Sequence, residues 1–96
     1  LAELQQFMLA ESLFQTGAVA EAESAFQEIT EKNEYYEQAL FRLAGFERKR
    51  GNEQKALSLF KKIVETGKSP QWKRYAEREL QIAAVLERKK GGLSSP

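Results

Sequence analysis

The chain contains no cysteine and no histidine, and aspartate is absent as well, so every acidic side chain is a glutamate. Zinc sites built from Cys and His, nucleophiles activated by histidine, the H-E-x-x-H metalloprotease pattern and aspartate-led calcium loops are excluded by this alphabet alone. No metal or cofactor is expected. Without thiols there is no disulfide framework, and the redox compartment is left unmarked. No apolar run approaches the roughly 20 residues that cross a bilayer, and the opening residues lack a basic-then-apolar leader. Direct membrane insertion is not expected; a soluble setting, cytoplasmic or bacterial periplasmic, fits. Leu1 in the first position points to a segment cut from a longer polypeptide.

Proline is confined to Pro70 and Pro96, so no segment between them is broken internally. The 96 residues, 42% hydrophobic and 30% charged, suit one compact core. The net charge of +1 hides a division. Residues 1–40 carry eight glutamates against Lys32 alone, and residues 41–96 carry fourteen basic groups against six glutamates, so the halves stand near −7 and +8. Such polarity favours electrostatic steering or attraction between copies over a uniform nucleic-acid surface.

Apolar residues at Leu4, Phe7, Met8, Leu13 and Phe14 follow the three-and-four spacing of an amphipathic helix, and no stretch alternates as a half-buried strand does. Gly17, Gly51, Gly67 and Gly91-Gly92 divide the chain into helices at about 2–16, 18–31, 34–50, 53–66 and 70–90. Gly17 and Gly51 suit the left-handed position past a helix end, and Asn33, Asn52 and Ser69 suit helix caps. Pro70 suits a first helical position. The terminal Gly-Gly-Leu-Ser-Ser-Pro, residues 91–96, reads as a flexible tail.

Shifted by 34 residues, the chain matches itself. Phe7 meets Phe41, Leu9 meets Leu43, Ala10 meets Ala44, Gly17 meets Gly51, Ala22 meets Ala56, Phe26 meets Phe60 and Ile29 meets Ile63. With Glu3/Glu37, Ser24/Ser58 and Glu31/Glu65 there are ten identities in 29 pairs, against roughly two for unrelated segments of ordinary composition. The alanines mark where two helices of a unit cross closely, and the phenylalanines fill the space towards the next unit. A period of 34 with two helices per unit is a repeat architecture.

On these residues the chain resembles two tandem tetratricopeptide repeats, about 3–34 and 35–68. Leu9-Ala10, Gly17, Ala22 and Phe26 carry the resemblance in the first, and Leu43-Ala44, Gly51, Ala56 and Phe60 in the second. It departs from the family pattern at Gln6 and Leu40, where Trp is favoured, at Leu13 and Glu47, where Tyr is favoured, and at Glu34 and Lys68, where Pro is common. The implied fold is all-α, a right-handed solenoid of helical hairpins with about five helices, forming one domain over 1–90. Residues 70–90 are read as a capping helix, or as the first helix of a third repeat, from the likeness of Leu40…Gly51 to Leu80…Gly91 at an offset of 40.

In this family the first helices line a concave face. The resemblance places Leu4, Phe7, Glu11, Gln38, Phe41, Arg42, Gly45, Arg48, Arg78, Gln81 and Val85 there. The carboxylate clamp with which some members hold acidic C-terminal tails is missing, because Phe7 and Glu11 stand where Lys and Asn are needed and Arg42 or Gly45 where a second Asn is. Arg48-Lys49-Arg50 and Arg88-Lys89-Lys90 end helices, where cations complement exposed carbonyls, so nucleic-acid binding is not expected. Gly67-Lys68-Ser69 lacks the upstream glycine of a phosphate loop, and the glutamates of residues 21–31 crowd one short helix rather than facing across a cleft. The implied function is a non-catalytic scaffold that binds a peptide or helix of a partner protein in the concave groove. The alternative is a structural or oligomerisation segment of a larger protein of this family, such as a bacterial envelope protein, that self-associates as a homo-oligomer or stacks on further repeats.

Overall fold

The computed structural model describes residues 2–94, and the side chains of residues 2–90. Five helices account for the regular structure among them: α1 (Glu3–Gln15), α2 (Val19–Gln27), α3 (Tyr36–Lys49), α4 (Glu53–Thr66) and α5 (Pro70–Ser94). α1 pairs with α2 and α3 with α4, and α5 packs on α4, giving an elongated body of 56 × 28 × 15 Å.

Both hairpins turn by the same device. Gly17 (φ +89°) and Gly51 (φ +84°) take the left-handed conformation that side chains resist. The Gly17 amide donates to the Phe14 carbonyl (3.2 Å) and the Ala18 amide to the Leu13 carbonyl (2.9 Å). The Gly51 amide likewise donates to Arg48 (3.0 Å) and the Asn52 amide to Glu47 (2.9 Å). This pair of bonds consumes carbonyls that a helix end would otherwise leave bare.

The turn lets the small residues nest. Ala10, Ala22, Ala44 and Ala56 are wholly buried at the helix crossings. Phe26, Ile29, Ala39 and Phe46 complete a core with the first two, and Leu40, Phe60, Ile63 and Ala76 with the second. The repeat extends to ring contacts: Phe7 meets Phe26 edge-on at 6.2 Å, and Phe41 meets Phe60 at 5.3 Å.

Between the hairpins the boundaries differ from the periodicity. α2 stops at Gln27 and α3 starts at Tyr36. Asn33 is buried in the intervening turn, and it does not cap α3 as its residue type suggests. Its side-chain amide donates to the Glu3 carbonyl (3.4 Å) and Gln6 Oε1 (3.2 Å), and its Oδ1 accepts the Tyr35 amide (2.8 Å). Local side-chain bonding of this kind competes with helix continuation. Asn52 makes no side-chain cap bond either.

α5 follows a register of 37 rather than 40. Ala39 and Ala76 are the buried alanines facing the preceding helix. Tyr35 stacks on Phe7 as Trp72 packs on the equivalent Phe41, whereas Ala84, which an offset of 40 would match to Ala44, is exposed. In this register the buried Leu40 and Ala44, which α3 turns towards α4, correspond to the exposed Glu77 and Gln81. The side of α5 on which a further helix would pack is therefore polar. Its backbone stays helical through 91–94, which composition assigned to the tail; a glycine pair weakens a helix by about 1 kcal/mol per residue but removes no hydrogen bond, and proline comes only at Pro96. Ser95 and Pro96 lie outside the described residues.

Candidate partner-binding face

The residues assigned to the concave face fall into three groups. Phe41, Arg42 and Gly45 come together, with Phe14, Phe46 and Lys49, around a hollow of about 160 Å³. Arg78, Gln81 and Val85 lie along α5, where they line a shallow groove of about 370 Å³ with Ile82 and Leu86. Leu4 is exposed on α1, Gln38 is half-buried on α3, and Phe7 is held between Phe26 and Tyr35 as part of the packing.

Three of the charged candidates are committed to internal pairs. Arg42 donates through Nε and Nη2 to both oxygens of Glu11, at 2.7 and 3.0 Å, and its guanidinium lies 4.7 Å from the centroid of Phe14. That fork ties the first hairpin to the second and fixes the Arg42 plane at the rim of the hollow. Arg48 bridges three helices, donating to Glu53 on α4 (3.1 Å) and Glu79 on α5 (2.5 Å) over the ring of Phe60. The bonds to Glu53, then to Glu79, push its pKa above the ordinary arginine value, so it stays charged. Arg48 is thus a strut of the scaffold.

Gly45 is different. It stands in the middle of α3, exposed, and a Cβ built on it would meet no atom within 4 Å. Nothing in the packing demands a glycine there, and the helix gives up about 1 kcal/mol by having one. The hollow above it has a fixed aromatic wall: Phe14 meets Phe46 at 5.5 Å, and Phe41 is braced by Phe60 (5.3 Å) and Trp72 (5.4 Å).

Sequence reasoning missed Phe14 and Lys49 in the hollow, and Tyr75, Ile82 and Leu86 on α5; the buried Ala39–Ala76 correspondence is the signal that finds the last three. It also gave no role to Glu37, the most buried acid among the described residues. Glu37 accepts the amides of Lys68 (3.0 Å) and Ser69 (3.2 Å), as its repeat equivalent Glu3 accepts that of Glu34 (3.5 Å). Each carboxylate fastens the start of the next unit. No group of three potential metal ligands occurs among the described residues. No described helix is long and apolar enough to cross a membrane.

A tetratricopeptide repeat family model matches residues 6–33 and 38–66, more than half of the chain. The chain belongs to the tetratricopeptide repeat family. The two matches fall on the two hairpins, with α5 outside them. No curated protein and no solved structure matches the chain. Tetratricopeptide repeats generally mediate protein–protein interaction as non-catalytic scaffolds.

Proposed function

We propose that this tetratricopeptide repeat domain is a non-catalytic scaffold that holds a peptide or helix of a partner protein on the face formed by α1, α3 and α5, with the hollow over Gly45 as its anchor point. The observation that carries the reading is the open glycine in mid-helix, ringed by braced aromatic side chains and a guanidinium already fixed in place. A site so ordered before binding loses little conformational freedom when a ligand arrives. An apolar side chain set into the hollow would touch Phe14, Phe41 and Phe46, while Arg42 and Lys49 at its rim suit backbone carbonyls or an acidic neighbour.

A displayed library of random peptides selected on the wild-type domain tests this. Selected peptides should lose at least about tenfold in affinity for Gly45→Leu, equivalent to about 1.4 kcal/mol, while circular dichroism and thermal melting show the variant folded. Equal affinity for the two proteins would refute the anchor.

A further inference from the structure

Where α3 presents Gln38, Gly45 and Lys49, the register of 37 gives α5 Tyr75, Ile82 and Leu86. At 100° per residue these three fall within about 40° of one another. They are 44%, 46% and 57% exposed, and Val85 beside them is 43% exposed. Together they account for half of the large exposed apolar side chains among the described residues. The strip begins at Tyr75, in ring contact with Phe41 (6.5 Å) and Trp72 (5.5 Å), and runs out along a part of the helix where residues 84–90 are all exposed. Arg78 and Lys89 punctuate its edge, three turns apart, and neither forms an ion pair among the described residues. On the opposite edge Glu79 is paired with Arg48, which it shares with Glu53.

We propose that this strip docks an amphipathic helix of another protein that carries acidic residues along one edge of its apolar face. This rests on the reading of the binding face above and names its partner's chemistry. Charge argues against the same strip of a second copy. If a second copy used the same strip, a parallel pairing would set Arg78 against Arg78 and Lys89 against Lys89, and an antiparallel one would set Arg78 against Lys89. Both arrangements bring unpaired cations together in a partly desolvated contact. An acidic edge instead supplies a counter-charge at each position, while leucine-like residues at three-and-four spacing cover Tyr75, Ile82 and Leu86.

The probe is a synthetic amphipathic peptide of about 18 residues, long enough to hold a helix, with leucines flanked by glutamates, compared with one flanked by lysines. Trp72, the chain's only tryptophan, reports binding by fluorescence. The glutamate-edged peptide should bind saturably, at least about tenfold tighter than the lysine-edged one. The double substitution Ile82→Ser/Leu86→Ser, at exposed positions, should abolish this without changing the melting temperature, and Gly45→Leu should leave most of it intact. Equal binding of both peptides, or binding of neither, overturns the inference. So does a wild-type dimer in sedimentation that the double substitution dissolves, which would make a second copy the occupant, or binding to phosphatidylserine vesicles in place of the peptide. If the probe fails while library peptides still lose affinity with Gly45→Leu, only this inference falls; if Gly45→Leu is also silent, the binding face falls with it.

Discussion

Two glycines give opposite predictions for the same Gly→Ala change. At Gly45 a Cβ meets nothing within 4 Å, so alanine adds helix propensity without a clash; the gain is about 0.5–1 kcal/mol. At Gly67 the backbone is extended (φ −64°, ψ 127°), a conformation any residue adopts, so the constraint is steric. A Cβ there lies 2.4 Å from the Ile63 carbonyl oxygen and 3.1 Å from Glu37 Oε2. The first contact is with backbone at the end of α4 and cannot be relieved by a side-chain rotation. The chain must move, and the amides of Lys68 and Ser69 move with it, away from the carboxylate that fastens α5. Hydrogen bonds to a charged acceptor contribute about 1.5–3 kcal/mol, so weakening this pair sets the cost of Gly67→Ala at about 2–3 kcal/mol. Urea titration followed by circular dichroism reads both changes, and in a domain of this size 1 kcal/mol moves the melting temperature by about 4–8 °C. A destabilised Gly45→Ala would mean that the space over α3 is not open, and a neutral Gly67→Ala would mean that Glu37 does not hold the α4–α5 junction.

Phe60 is 2% exposed and touches both Phe41 and the Arg48 guanidinium. Phe60→Ala should therefore cost about 3–5 kcal/mol, a large part of the 5–15 kcal/mol of a typical domain, as a denaturation midpoint would show. The Glu11–Arg42 fork, with side chains 21% and 41% exposed, should give a coupling of about 0.5–1 kcal/mol in a double-mutant cycle that shrinks as salt rises. A coupling that does not fall with salt would contradict an electrostatic origin of the fork.

The hairpins were legible because each constraint on them is local and recurs. A left-handed turn needs Gly17 and Gly51, a close crossing needs Ala10, Ala22, Ala44 and Ala56, and the three in the first hairpin recur as the three in the second after 34 residues. The all-helical architecture follows from them. The register of α5 was not legible, because it depends on three residues gained across the α4–α5 junction, where Glu37 and Gly67 set the path by contacts 30 or more residues apart in sequence. Matching Ala83-Ala84 to Leu43-Ala44 by residue type gave an offset of 40, whereas the packing aligns Ala76 with Ala39. The candidate face was legible in part for a related reason. Helical spacing brings Phe41, Arg42 and Gly45 to one side, but which long side chains pair is a matter of reach across helices. Glu11 and Arg48 therefore read as free charges in the sequence and are engaged in the fold. Asn33 is similar: its type suggested a cap, and only the proximity of α1 turns it into a tether.

The fold also carries a rival groove of about 630 Å³ on the side of the second helices, where Tyr36, Ala39, Leu40, Leu43 and Leu59 lie between α2 and α4. Amide chemical-shift mapping of a library-selected peptide on the isotopically labelled domain separates the two surfaces. The largest shifts should fall at Phe14, Phe41, Arg42, Gly45 and Lys49 and continue to Tyr75 on α5. Shifts centred instead on Tyr36, Leu43 and Leu59, with Gly45 unmoved, would contradict the proposed binding face.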